Sequence, residues 1–320
     1  MRRIIDNPVD VLMTSDLRVF SLCRIEGMAK ISRVSWEDDS NLGDIGSYGN
    51  KKGQMIWPVQ MILDSDENLI ISDEALNRIT VLSTQGDYIN SWGQHGHLEG
   101  ELDKPSGIAL DPDNNLYVVD TMNHRIQKFT TEGEFLINWG RFGTHSGEFN
   151  MPWGIAVDEI GDIYVSDWRN DRVQKFSSNG KFIFSIGSSG TGKGEFRRPS
   201  GLAVDKHGDI YVADSENDRI QLFNQDGQYI EQFTGDASLS ISGRAYLLAN
   251  AKPLRLREMA DIEPQRRLRG GPKSVRVDNQ FRMFIPDYGS YRIQVYQKDA
   301  IPLSQSDIIK TPRSPTLSVT

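Results

Sequence analysis

Residues 105–110 read Pro-Ser-Gly-Ile-Ala-Leu, 115–120 Asn-Leu-Tyr-Val-Val-Asp, 125–129 Arg-Ile-Gln-Lys-Phe and 135–140 Phe-Leu-Ile-Asn-Trp-Gly. The same order of short runs returns from Pro152 to Gly187 and from Pro199 to Gly235, and more loosely from Pro58 and Pro272. Pro58, Pro105, Pro152 and Pro199 stand 47 residues apart. In five copies an Asp (Asp73, Asp120, Asp167, Asp214, Asp287) lies 15 residues after the Pro, and an Arg (Arg78, Arg125, Arg172, Arg219, Arg292) lies five further on. Pro8 opens a worn first copy, with Cys23 where the Asp belongs. A repeat of this length holding four short strands is a propeller blade, so the expected fold is all-β: a six-bladed β-propeller of four-stranded antiparallel blades.

Each copy supports this locally. Arg172-Val-Gln-Lys-Phe176 alternates polar and apolar residues, as a half-buried strand does. Asn179-Gly180 and Asp226-Gly227 sit where the third strand turns into the fourth, and such pairs tolerate positive φ. The glycine-rich runs from Gly140 and Gly187 recur at blade junctions and precede a strand. A phosphate-cradling loop would precede a helix, so they read as connectors. The repeated Asp, Asn and Arg read as turn-closing groups, because chemistry is usually done once rather than in five blades.

The segments Pro199-Ser-Gly-Leu-Ala-Val-Asp205, Gly208-Asp-Ile-Tyr-Val-Ala-Asp214 and Asn217-Asp-Arg-Ile-Gln-Leu-Phe223 resemble the NHL repeat. The resemblance is strong across residues 50–235, clear at 270–297 and faint at 8–49. It implies a six-bladed propeller and leaves the activity open, since one fold hosts many functions. One propeller is expected over residues 1–305, with blades starting near Pro8, Pro58, Pro105, Pro152, Pro199 and Pro272. Ile301 to Gln305 would complete blade six, and residues 306–320 read as a flexible tail. The interval from Pro199 to Pro272 is 73 residues, which places a short helical insertion at 236–271 between blades five and six. That insertion holds seven Lys or Arg against four acids on an otherwise acidic chain.

A net charge of -8 argues against a general nucleic-acid binder. One cysteine rules out an internal disulfide and a Cys-based zinc site. No apolar run of signal-peptide or membrane-span length is present, so a cytoplasmic protein is expected.

Positions that repeat hold the fold; positions that differ between copies can hold a single site. Directly after each Pro stand Val9, Val59, Ser106, Trp153, Ser200 and Lys273. Directly after the strand-two Asp position stand Arg24, Glu74, Thr121, Trp168, Ser215 and Tyr288. Both columns are expected at the top mouth of the central channel. Trp153, Trp168, Arg169, Lys273, Tyr288 and Tyr291 are the candidate anchors of a ligand or partner, since aromatic rings beside Arg are typical of recognition surfaces. Four histidines fall in top loops, and His95, His97 and His124 are the only candidates for a metal. The NHL-like peptide-amidating lyases carry zinc-binding His directly after this Pro; here those places hold Val, Ser, Trp and Lys.

The expected function is therefore a non-catalytic module binding a protein segment or small ligand, with no cofactor and no catalytic residue. A metal-assisted hydrolase or lyase, with a divalent ion in the channel, is the alternative. An RNA-binding propeller is the second, though nucleic acid is not the expected partner.

Overall fold

A computed structural model describes residues 5–236, 249 and 266–298. Six antiparallel sheets succeed one another in chain order, none borrowing a strand from another among the described residues. Blade one comprises Pro8–Met13, Arg18–Ile25, Met28–Ser35 and Asn41–Ile45. Blade four comprises Pro152–Val157, Ile163–Asp167, Arg172–Phe176 and Phe182–Ile186, and blades two, three and five follow the same plan. Blade six shows Arg276–Val277, Arg282–Asp287 and Arg292–Gln297. Its expected outer strand at 301–305, and the tail at 306–320, lie outside the described residues. So does the helical insertion expected over 236–271, apart from its two ends. The named elements are strands and 3₁₀ turns.

The 15-residue interval is a pairing register. Pro58 lies opposite Asp73, Pro105 opposite Asp120, Pro152 opposite Asp167 and Pro199 opposite Asp214; in the worn blade Pro8 lies opposite Cys23. Every strand-one to strand-two ladder of these five blades is irregular just after the Pro, and the bulge re-aims the residues there.

Each apolar core is a slab between two neighbouring blades, because a four-stranded sheet has two faces to cover. The slab between blades one and two has eleven buried members, among them Phe20, Leu22, Met61 and Ile71. Among the described residues, the slab that closes the ring, between blades six and one, has Val11, Val19 and Phe284 as its buried members. A polar knot supplements it. Asp10, fully buried, accepts hydrogen bonds from the Ser274 hydroxyl, from Arg276 Nε and Nη2 at 3.0 and 2.6 Å, and from the Met61 N–H at 2.9 Å. Blades six, one and two are thus tied at one carboxylate.

Two residues after the Pro, the copies diverge in a way the fold explains. Blades three, four and five carry Gly107, Gly154 and Gly201. A Cβ on Gly107 would lie 2.6 Å from the Trp153 carbonyl oxygen, and one on Gly201 would lie 2.5 Å from Ser274 Cα. Inner strands there run backbone against backbone. Blades one and two carry Asp10 and Gln60, and Gln60 Oε1 bridges to the Ile108 N–H at 2.9 Å.

Candidate functional site

The repeated charges are consumed by the scaffold. Asp167 accepts from the Asn150 N–H at 2.7 Å, Asn170 Nδ2 at 2.8 Å, Arg172 Nε at 2.9 Å and Gln174 Nε2 at 3.3 Å. Arg172 Nη2 then donates to the carbonyls of His145 and Glu148 in the preceding connector. Asp120 and Asp214 build the same knot with Arg125 and Arg219. Each knot staples a connector to the next blade, as the turn-closing reading expects. The connectors are also no phosphate cradles. Glu148 places Oε2 against the N–H groups of Thr144 and His145, and Glu101 does so at His97 and Leu98. Each loop already holds its own carboxylate where an external anion would sit.

The two variable columns meet at the top. In blade three the Ser106 and Thr121 hydroxyls lie 2.7 Å apart, and Thr121 donates to the Pro152 carbonyl at 2.9 Å. In blade five the Ser215 and Ser200 hydroxyls lie 2.7 Å apart, and Ser215 Oγ lies 2.7 Å from the Pro272 carbonyl oxygen. In blade one Arg24 Nη1 reaches the matching carbonyl, Pro58, at 2.8 Å. These side chains form clips from one blade to the next, and Val9, Val59, Ser106, Ser200, Thr121 and Ser215 are buried. Blade four breaks the pattern. Trp153 and Trp168 occupy both clip positions, half-exposed, with ring centroids 6.5 Å apart and planes tilted by 37°. The Arg198 guanidinium lies 4.9 Å from the Trp168 ring centre and that of Arg169 5.7 Å.

Beside Trp168 opens a cavity of about 350 Å³ lined by Arg198, Ser215, Glu216, Asp218 and Lys273 as well. The acids in it are engaged: Glu216 lies 3.9 Å from Arg198 Nε, and Asp218 accepts the Gly271 N–H at 2.7 Å. Lys273 is not. No acceptor among the described residues lies within hydrogen-bonding distance of its ammonium group, and no carboxylate within ion-pair distance. Burial, reinforced by the nearby Arg24 charge, pushes its pKa down. Arg24 is only 8% exposed and lies 4.7 Å from the Trp57 ring centre. Burial lowers its pKa to about 10.

The six anchors expected from sequence divide. Trp153, Trp168 and Arg169 come together, and Lys273 shares a cavity with Trp168. Tyr288 packs half-buried against the blade one–two core. Tyr291 instead caps the 3₁₀ turn Tyr288–Ser290 with φ +56°, at the position held by His124, Asp171 and Asp218 in earlier blades. There those side chains accept a backbone N–H from the residue before the next blade's Pro or its equivalent, a scaffold role.

His124 is one of them: its Nδ1 accepts the Met151 N–H at 3.0 Å, and burial lowers its pKa. His95 lies 3.7 Å from Asp103, and His97 contributes its backbone N–H to Glu101. Among the described residues no three His, Cys, Asp or Glu side chains converge as a metal seat. Arg198 lines the cavity, and the buried Arg24 is close enough to act on the Lys273 charge, although neither was among the expected anchors. Arg24 stands in the variable column and could have been selected there; Arg198, just before Pro199, had no comparable signal.

Residues 155–247 match a family described as 6-bladed beta-propeller, and residues 102–129 match the NHL repeat. No curated protein matches the chain in sequence. Among solved structures it is similar to a protein of unknown function from Bacteroides thetaiotaomicron, at 19% identity and TM-score 0.61, over 92% of this chain and 70% of that one. It is also similar to a catalytically inactive virginiamycin B lyase from Staphylococcus aureus with quinupristin, at 12% identity and TM-score 0.56, over 93% and 86%. Hydrazine synthase from Kuenenia stuttgartiensis aligns at 13% identity and TM-score 0.56, over 93% and 97%. At these identities the likeness is one of fold.

Proposed function

We propose that this NHL-repeat six-bladed propeller is a non-catalytic binding module whose ligand, a small molecule or a protein segment, sits on the top face over Trp153 and Trp168. One observation carries the reading: blade four has indoles at both positions where blades three and five have an interblade hydroxyl clip. The exchange gives up hydrogen bonds worth about 1 kcal/mol each and leaves two large rings half-exposed, packed on each other and under arginines. Paired aromatics with arginines on their faces suit a recognition surface, where such rings bury large area at small entropic cost. The alternative, a metal-assisted lyase or hydrolase, would need ligating side chains that do not converge among the described residues. The basic insertion on which RNA binding would depend lies mostly outside them.

The test replaces both indoles with what the neighbouring blades carry, Trp153→Ser with Trp168→Ser. The variant is expected to keep or raise its melting temperature, because the clip is restored. In a thermal-shift and NMR screen of a mixed fragment and peptide set, it should lose the hits that wild type binds. Hits that survive unchanged on the double variant would refute the site.

A further inference from the structure

The cavity beside Trp168 contains a cation that the protein does not pair: Lys273 has no acceptor among the described residues. Arg24, 8% exposed, is near enough for the two charges to repel; it gives one hydrogen bond to the Pro58 carbonyl and lies over the Trp57 ring. The nearest acids are committed elsewhere: Glu74 faces Lys104 at 3.6 Å, Glu216 faces Arg198, and Asp218 holds the Gly271 N–H. Taking a cation out of water is unfavourable unless an anion or acceptor compensates it, and two like charges side by side raise that cost.

The scaffold cations are treated differently. Arg276 meets Asp10, and Arg125, Arg172, Arg219 and Arg292 each meet the Asp of their own blade. Lys273, from blade six, faces the same cavity as Trp168 and meets no carboxylate among the described residues.

We infer that the top-face ligand carries a carboxylate, seated by Lys273, next to a planar ring that lies against Trp168. The inference rests on the binding-module reading and names the class of ligand for it: a small aromatic or heteroaromatic acid. A cavity of about 350 Å³ is of the size such a molecule fills. The lowered pKa of Lys273 fits this setting, since an anion beside it would restore its ammonium form.

Benzoate and its neutral isostere benzamide are the probes, titrated against the full chain by tryptophan fluorescence and calorimetry. Benzoate should bind at least about tenfold more tightly than benzamide, and added salt should erode the difference. Lys273→Gln should remove the preference, and Trp168→Ala should weaken both probes. Lys273→Gln should not lower the melting temperature, because it removes an uncompensated charge; a merely structural lysine would show the opposite. Equal binding of both probes, unaffected by Lys273→Gln, overturns the carboxylate inference while leaving the indole site standing. Benzoate binding that needs Lys273 but ignores Trp168→Ala keeps the carboxylate seat and removes the indoles from the reading. Absence of benzoate binding up to about 10 mM, with no acetate-induced shift of the Lys273 ammonium NMR signal, overturns the inference outright.

Discussion

Removing Arg276 should open the ring at its closing seam. Its guanidinium is the main compensation for the fully buried Asp10 carboxylate, through two hydrogen bonds, and it also donates to the Met61 carbonyl at 2.8 Å. Arg276→Met keeps the stem and deletes the charge, leaving Asp10 with the Ser274 hydroxyl and the Met61 N–H. Breaking one side of a buried pair typically costs about 3–5 kcal/mol. The seam has little apolar reserve, since three of the described residues are buried in it. At about 2.1 cal/mol/K per residue, unfolding this chain carries roughly 0.7 kcal/mol/K of entropy, so the melting temperature should fall by about 5–7 °C.

Arg141→Met is the control. That guanidinium is 81% exposed and pairs with Glu148, so its loss should cost under about 1 kcal/mol. Adding Asp10→Asn to Arg276→Met removes the stranded charge and should recover about half of the loss. Scanning calorimetry reads the magnitudes, and hydrogen exchange should place the loosened amides in Pro8–Met13 and Arg282–Asp287. If Arg276→Met melts within about 1 °C of wild type, the knot does not close the ring and the reasoning fails.

Two further outcomes follow from the geometry. Gly154→Ala should destabilise by about 3 kcal/mol, because the new methyl would collide with the Ser200 carbonyl and crowd Gly201 Cα, both rigid backbone; Gly147→Ala, with open space but φ +79°, should cost only about 1 kcal/mol by chemical denaturation. Glu148 should titrate by carboxyl NMR near about 2 rather than its ordinary 4.5, chiefly through the His145 N–H and then Arg141. Folding favours its ionised form, so its contribution is present above the ordinary value and is lost as pH falls toward 2. Glu148→Gln should flatten that acid limb, and a Glu148 midpoint near 4.5 would count against the loop geometry.

The fold was legible because it is written repeatedly: a fixed interval between Pro and Asp is the register of two strands, and several copies average out local ambiguity. The indole pair was legible for the opposite reason, as a departure within an aligned column. Tyr291 stands in a column where Asn77, His124 and Asp171 each accept a backbone N–H, a scaffold role that the sequence does not distinguish from an anchor. Arg24 sat in the variable column of the worn copy, but without a family of similar residues nothing marked it as a buried cation near Lys273. The Asp10–Arg276 knot left no trace at all, since its partners are 266 residues apart and each occurs once.

The unequal inner strands give the wheel a stiff arc and a compliant one. From blade three to blade six neighbouring spokes touch peptide to peptide at glycines, where no rotamer can yield. From blade six through blades one and two they are held apart by the longer arms of Asp10 and Gln60, which can pivot. Trp168 stands on the stiff arc, Lys273 beside the compliant one. A guest bridging them would clasp the rigid rim to the yielding rim, so its arrival should be felt as a tightening of blade one against its neighbours rather than as any shift in blade four.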